Sequence, residues 1–258
     1  MEVISFDISG KFAHFRRFYS NSTALSFTIP PRTTLTGIIA AFMGKDKESY
    51  YEEFSSDNIL IGVAVKSRLK KSFHRLNLLK ITSTSDFRGA KGRTQIPLEV
   101  VTSEDLRTDD LIYRVFVGCT ENGKAVFEDL KQKLINHESQ YTITLGLANF
   151  TANIKNITFF EAKNVQQRDA SNDKITLHSA GNTVDINKLL LDTEHYNFIE
   201  EDLLPADFKG NGNREVKSMN RLIFAINDIP LKVDVSGTYY ELSKGGDIQN
   251  IQFLKPVS

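Results

Sequence analysis

Two consecutive prolines, Pro30 and Pro31, constrain the fold of this chain more than any other local feature. Proline fixes its own φ angle and biases the preceding residue towards extended backbone, so no helix can run through this point. A helix can begin just beyond it, because Thr33 or Thr34 is a suitable N-cap and Gly44 is a typical residue to end a helix. The apolar positions in between have helical spacing and are Leu35, Ile38, Ile39 and Phe42. The sequence therefore predicts an apolar helix that ends at Gly44.

The order of the other predicted elements indicates an α+β fold. Alternating apolar residues from Glu2 to Ile8 predict a first strand. A second helix is predicted at 124–135, and further strands at 58–65, 111–119, 141–145 and 150–160. Strand, helix, strand, strand, helix and strand is the ferredoxin-like, or RRM-like, order, here with a long insertion between the second and third strands. We therefore predict a ferredoxin-like N-terminal domain over residues 1–160.

The sequence changes character after Glu161, where it becomes polar and rich in turns. Short strand candidates lie at 174–178, 222–226, 231–235 and 248–254. The run from Lys209 to Arg214 alternates glycine and asparagine, which is typical of a loop. We expect residues 161–258 to form a β-rich C-terminal region.

Composition indicates an ordinary soluble protein. The chain has 258 residues, of which 40% are hydrophobic, enough to bury a core. Cys119 is its only cysteine, so an internal disulfide and a thiolate zinc cluster are excluded, as suits a reducing compartment. The N-terminus shows no basic and apolar leader, and no run is long enough to span a membrane. We therefore expect a cytoplasmic protein without a membrane partner.

The charges balance overall, but they are distributed unevenly. The chain has 32 lysines and arginines and 32 aspartates and glutamates. Between Lys66 and Arg93 the only acidic residue is Asp86, whereas 99–110 and 192–207 are acidic. A concentrated positive field is what phosphate contacts require, since each neutralised phosphate releases counterions. The basic stretch carries no helical period, so we predict a long hairpin or extended insertion at about 66–97 whose surface binds nucleic acid.

Two short segments near the N-terminus carry residues suited to RNA. Arg16 and Arg17 can hold phosphates, and Tyr19 beside them can stack a base. Arg32 and Thr33 lie at the start of the predicted helix, where free N–H groups and the helix dipole favour an anion. The phenylalanines around the first segment, which we expect in the core, are Phe12, Phe15 and Phe18.

The insertion supplies further cations and hydrogen-bond donors, together with two aromatic side chains that could act as wedges, Phe73 and Phe87. A solvated hairpin without function normally mixes charges of both signs, so the near absence of acids favours nucleic-acid contact. The predicted RNA-binding residues of the insertion are Lys70, Lys71, His74, Arg75, Asn77, Arg88, Lys91 and Arg93.

Three motifs together resemble a known family. They are G-K-F-A-H-F-R from Gly10, I-P-P-R-T-T-L-T-G-I-I-A-A-F-M-G from Ile29, and I-P-L-E from Ile96. The chain resembles CRISPR-associated Cas family five of the RAMP superfamily, the subunit that binds the crRNA 5′ handle in type I Cascade complexes, and is most similar to the type I-B branch. The resemblance covers residues 1 to about 154, whereas the C-terminal third matches only in size and loose β character.

The resemblance implies a ferredoxin-like palm, with the basic insertion as a β-hairpin thumb, and a role in antiviral defence. The partners it implies are crRNA, the Cascade large subunit and the backbone subunit, with target DNA reached only through the complex. The sequence has no H-x-x-x-H, Walker A or G-x-S-x-G motif. We therefore predict a non-catalytic RNA-binding subunit without cofactor or metal.

Two other functions are compatible with the sequence. One is a metal-independent endoribonuclease that processes precursor crRNA, as in type I-C, for which His14, Tyr19 and His74 could supply a general acid or base and Lys71 a cation. The chain has no adjacent Lys-His pair, so the catalytic set of that branch does not transfer residue by residue. The other is a protein-protein adaptor of the complex that docks partners through its acidic stretches.

Overall fold

The computed structural model describes residues 1–20, 23–79, 81, 83–89, 93–191, 198–210 and 213–257. The elements up to residue 160 are β1 (Val3–Gly10), β2 (Phe15–Arg16), β3 (Ser26–Phe27), α1 (Arg32–Met43), β4 (Ile59–Val65), β5 (Leu69–Leu78), β6 (Thr94–Ser103), β7 (Leu111–Cys119), α2 (Lys124–Ile135) and β8 (Ala152–Phe160). The later strands are β9 (Val165–Leu177), β10 (Gly181–Asn182), β11 (Ile186–Leu189), β12 (Ile199–Phe208), β13 (Val216–Ala225), β14 (Leu231–Lys244) and β15 (Asp247–Ile251). The fold is mixed α+β and mostly β, with two α-helices among the described residues.

A four-stranded antiparallel sheet forms the centre of the N-terminal part. Its strand order is β4-β7-β1-β8. β1 is buried along its whole length, because one face of the sheet packs on the helices and the other on the C-terminal region. Ile4, Phe6 and Ile8 alternate along β1 and join the helix-side core. The predicted strands at 58–65 and 111–119 and the helix at 124–135 are confirmed.

The predicted strand at 141–145 is wrong. In that segment Thr144 forms only an isolated bridge, to Thr151. Ile143 and Leu145 are nevertheless buried in the main core. Their apolar alternation therefore reflects the packing of an irregular segment rather than a strand.

Helix α1 ends as the sequence predicts but begins differently. Gly44 adopts the left-handed conformation, with φ of 80°, and its N–H donates to the carbonyls of the last turn. The N-cap is Pro31, and no side chain caps the helix, so the predicted threonine cap is wrong. The carbonyl of Pro31 already accepts bonds from the N–H groups of Thr34 and Leu35. The helix can therefore start at Arg32, directly after the prolines.

The basic insertion forms a hairpin of β5 and β6. The two strands pair antiparallel from Leu69 opposite Ser103 to Leu78 opposite Thr94. Ser103 extends the hairpin beyond the predicted end near residue 97. On its other edge β6 bridges Ala13 and Ala24, which attaches the hairpin to the segment around β2.

The C-terminal region contains two sheets, with strand orders β10-β13-β12 and β11-β14-β15-β9. The four short strand candidates overlap β9, β13, β14 and β15, which are mostly longer. The long strand β12 was not predicted, because its acidic start and Pro205 are unfavourable in strands. Leu204, Leu222 and Leu254 join the main core. The division at residue 160 stays a prediction, since residues on both sides of it share this core.

None of the helices in the described ranges is long and apolar enough to cross a lipid bilayer.

Candidate nucleic-acid interface

An open cleft of about 880 Å³ lies between α1, the β2–β3 segment, the β5–β6 hairpin and the β12–β13 hairpin. One face of α1 forms its floor, where Thr33, Gly37 and Ala41 follow one another at a spacing of four residues. Its other lining residues include Arg16, Phe18, Tyr50, Tyr51, Leu76, Ile96, Leu98, Phe208 and Arg214. Of the described residues that line the cleft, none carries a carboxylate, whereas two are arginines. The cleft therefore suits an anionic and partly aromatic ligand.

Arg16 is the predicted RNA-binding arginine that reaches the cleft. It is exposed, at the end of β2, and within the described part of the chain its guanidinium makes a single long bond, of 3.5 Å, to the carbonyl of Ser20. Its charge is thus available to a phosphate.

Arg17 lies next to Arg16 but is held by the protein. Its Nη2 donates to the Asp202 carboxylate at 2.5 Å, and its Nε donates to the carbonyl of Ser26 at 3.2 Å. The guanidinium also lies 4.9 Å from the Phe27 ring centre and donates to the Tyr19 hydroxyl. Arg17 therefore fixes this segment to β12, and it would bind RNA only by exchanging Asp202 for a phosphate.

The aromatic side chains of this segment divide between core and surface. Phe15 is buried in the core, as predicted. Phe18 is 55% exposed and lines the cleft, so its predicted core position is wrong. Tyr19 is 53% exposed and contacts Phe18 edge to face, with ring centres 5.2 Å apart. Both exposed rings are accessible for stacking on a base.

Arg32 does not lie where an RNA phosphate could reach it. It is 1% exposed, and its guanidinium lies 2.5 Å from the Asp207 carboxylate. Its Nη2 donates to the carbonyls of Phe54 and Ile59. The expected phosphate role is therefore wrong for Arg32, because a charge buried this deeply is stabilised only by partners inside the protein. Thr33, by contrast, lines the cleft with little exposed surface.

The hairpin separates its predicted RNA-binding residues onto two faces, since side chains alternate along a strand. Ser72, His74 and Leu76 share the inner face, and Leu76 lines the cleft. Lys70 lies on the same face by this alternation, and its Nζ donates to the carbonyl of Glu104 at 2.6 Å. The outer face of β5 carries the partly buried Lys71 and the exposed Phe73, Arg75 and Asn77.

The outer face combines cations with an apolar ring. Phe73 is 61% exposed between Lys71 and Arg75. Neither cation has an ion-pair partner among the residues that the structure describes. Near the tip, Arg88 and Arg93 are exposed, and Phe87 is 69% exposed in a short 3₁₀ helix. The predicted contact Lys91 lies outside the described residues.

The residues of the ribonuclease alternative do not share one face of the hairpin. Lys71 and His74 are three positions apart in β5 and project to opposite sides. His14 lines the cleft but is buried, and its Nδ1 lies 2.7 Å from the carbonyl of Glu99. Burial lowers the pKa of His14 below its ordinary value of 6.5.

The sequence interpretation missed one end of the cleft. Tyr50 and Tyr51 follow α1, Phe208 ends β12, and Arg214 precedes β13. The adjacent tyrosines and the glycine-asparagine run are visible in the sequence. Their proximity depends on the packing of β12 against α1, which no local pattern indicates.

Comparisons with known proteins show a structural likeness but no match in sequence. No protein-family model matches the chain, and no curated protein matches it. Over the full length of both chains the structure is similar to a CRISPR protein from Archaeoglobus fulgidus, with a TM-score of 0.57 and 16% sequence identity. It is also similar to a chain of a CRISPR RNA-guided surveillance complex, covering 90% of this chain and 91% of that one, with a TM-score of 0.47 and 12% identity. The first likeness confirms, at the level of the fold, the resemblance to CRISPR-associated proteins.

Proposed function

We propose that this protein is a non-catalytic RNA-binding subunit of a CRISPR effector complex, and that it holds the 5′ handle of crRNA. The observation that carries the proposal is the cleft, whose described lining residues include aromatic rings and arginines but no carboxylate. Single-stranded RNA is recognised through splayed bases that stack on aromatic side chains, with its phosphates held by cations. The cations of the outer hairpin face, Lys71 and Arg75, offer a second contact surface for RNA on the opposite side of the hairpin.

The family assignment within the proposal is Cas family five, type I-B. The sheet order β4-β7-β1-β8, with a helix after β1 and another after β7, supports a ferredoxin-like palm. The β5–β6 hairpin, inserted between the second and third strands of this palm, corresponds to the thumb. The fold shared with the Archaeoglobus fulgidus CRISPR protein supports the broader assignment to CRISPR-associated proteins.

The proposed partners follow from this assignment. They are crRNA, the large subunit and the neighbouring backbone subunit of a Cascade complex in the cytoplasm. Target DNA would be read by base pairing with the guide, so this subunit would meet it only through the complex. An adaptor role without RNA contact is less well supported, because it leaves the acid-free cleft unexplained.

Binding of a repeat-derived RNA tests the proposal directly. Wild-type protein should bind the 5′ handle more tightly than a scrambled RNA of equal length, and the affinity should fall steeply as salt rises. Arg16→Glu should weaken binding, whereas Arg107→Glu serves as a control, because Arg107 is 89% exposed and does not line the cleft. If wild type and the Arg16 variant bind the handle with equal affinity at every salt concentration, the cleft is not the RNA-binding site.

Copurification provides a second test. RNA isolated with the protein and its genomic neighbours should share one repeat-derived 5′ end. RNA with random ends, or a complex that assembles equally well without RNA, would favour the adaptor function instead.

A further inference from the structure

Three aromatic rings form a wall at one end of the cleft. The ring centres of Tyr50 and Tyr51 are 5.0 Å apart with an interplanar angle of 69°. Tyr51 also contacts Phe208, at 5.3 Å and 63°. These edge-to-face contacts join the segment after α1 to the end of β12, and all three residues line the cleft. The wall is therefore held from two distant parts of the chain.

The floor beside this wall lacks bulky side chains. Gly37 lies inside α1, where glycine is less favourable than alanine. A Cβ atom at this position would lie 3.1 Å from the Tyr50 hydroxyl oxygen, which is closer than ordinary contact. Ala41 follows one turn later on the same face. Because Gly37 and Ala41 are small, the Tyr50 hydroxyl can approach the helix. They also leave the cleft open above this face of α1.

Two groups beside this space can recognise a polar ligand. The Tyr50 hydroxyl has no hydrogen-bond partner within the described ranges of the chain. A tyrosine hydroxyl keeps its proton at neutral pH, and burial raises the pKa of Tyr50 further, so this hydroxyl can donate a hydrogen bond. Arg214 lines the same end, and its Nε lies 3.5 Å from the Glu48 carboxylate. Among the residues that the structure describes, the terminal nitrogens of this guanidinium have no hydrogen-bond partner and are accessible to a ligand.

We infer that Tyr50, Tyr51, Phe208 and Arg214 form a subsite for one unstacked nucleobase of single-stranded RNA. The base would lie against the aromatic wall, accept a hydrogen bond from the Tyr50 hydroxyl, and have its neighbouring phosphate near Arg214. The inference rests on the proposed RNA-binding function and adds a position at which a base, rather than the backbone, is held. A basic peptide is a poorer fit, because Arg214 would repel it.

Four substitutions and a series of RNAs test this base subsite. The variants are Tyr50→Leu, Tyr50→Phe, Arg214→Ala and, as the control, Arg221→Ala. Arg214 and Arg221 are matched, with side chains 57% and 60% exposed and each near a glutamate, but Arg221 does not line the cleft. The RNAs are the 5′ handle and copies in which one nucleotide at a time is abasic. Affinity is measured by fluorescence anisotropy at one salt concentration.

On the intact handle, Tyr50→Leu should bind about tenfold more weakly, which is the usual loss for one stacked base. Arg214→Ala should also bind more weakly, and Arg221→Ala should match wild type. For one of the abasic RNAs, the affinity of wild type should fall to the value that Tyr50→Leu shows on the intact handle. The affinity of Tyr50→Leu itself should be the same for this abasic RNA as for the intact handle. Tyr50→Phe keeps the ring and should retain most of the affinity, so it reports on the hydroxyl even if Tyr50→Leu is unstable.

Two results would overturn the inference in different ways. Suppose that Tyr50→Leu binds more weakly than wild type by one constant factor on every abasic RNA, and that Tyr50→Phe likewise shows a constant factor. The tyrosine then supports the cleft wall and binds no particular base. That result leaves the proposed RNA-binding function intact. If wild type binds none of the RNAs, the proposed function fails and the base subsite fails with it.

Discussion

The Arg32 guanidinium lies 2.5 Å from the Asp207 carboxylate, and both side chains are buried. The pair joins the first residue of α1 to β12. Asp207 also accepts bonds from the Ser56 N–H and hydroxyl and from the Ser218 hydroxyl. The contact thus fixes the position of the β12–β13 hairpin relative to α1, and these two elements enclose one side of the cleft.

Loss of Arg32 should destabilise the protein strongly. Arg32→Ala leaves the Asp207 charge buried without its cation, and we expect the free energy of unfolding to fall by about 3–5 kcal/mol. Urea unfolding measures this loss. The exposed Arg107→Ala should change it by less than about 0.5 kcal/mol. Replacing both partners, as in Arg32→Met with Asp207→Leu, should recover much of the stability. An unchanged urea midpoint for Arg32→Ala would contradict this account of the pair.

The outer hairpin face should contribute charge to RNA binding. Lys71→Ala with Arg75→Ala should weaken handle binding and reduce the slope of log affinity against log salt by about 0.7 for each lost phosphate contact. The matched control is Lys174→Ala with Lys188→Ala, two exposed lysines of the C-terminal sheet. Titrations at several salt concentrations measure the slope. If both double variants behave alike, the outer face is an ordinary solvated surface.

The buried His14 and the partly buried His178 should make stability depend on pH. Burial lowers the pKa values of His14 and His178 below 6.5. Between each lowered pKa and 6.5 the unfolded chain binds more protons than the folded one, so the free energy of unfolding should fall as pH drops below 6.5. Urea midpoints from pH 5 to 7 measure the effect.

His14→Gln should flatten this dependence, because it removes one of the two groups. The exposed His74→Gln is the control. A His14 variant with the full pH dependence of wild type would show that His14 does not contribute to it.

The protein should not cut precursor crRNA. Lys71 and His74 project from opposite faces of β5, so the hairpin does not assemble them as a catalytic pair. Repeat RNA incubated with the purified protein in EDTA should remain intact when examined on a denaturing gel. A single cut upstream of the handle, abolished by Tyr19→Phe or His74→Ala, would instead establish the endoribonuclease function.

Local sequence patterns were reliable where a structural choice depends on neighbouring residues. Helix α1 begins after Pro31 and ends at Gly44. Proline restricts its own backbone, and glycine can adopt the left-handed conformation, so neither effect depends on distant residues. The alternation along β1 and the long basic insertion similarly predicted a strand and a hairpin. The segment at 141–145 shows the limit of this reasoning, since buried apolar alternation also occurs in irregular backbone.

The sequence by itself determined the central strands and helices, the hairpin and its charge. Only the tertiary structure decided the roles of the cations, because the environment of a charge depends on residues far away in the chain. Arg32 and Arg16 are both arginines for which the sequence predicts RNA binding. Arg32, however, is buried and its charge is paired with Asp207, which is 175 residues away in the chain. Arg16 stays exposed at the cleft. The base subsite likewise exists only because β12 brings Phe208 beside Tyr51, a contact set by packing and not by local propensity.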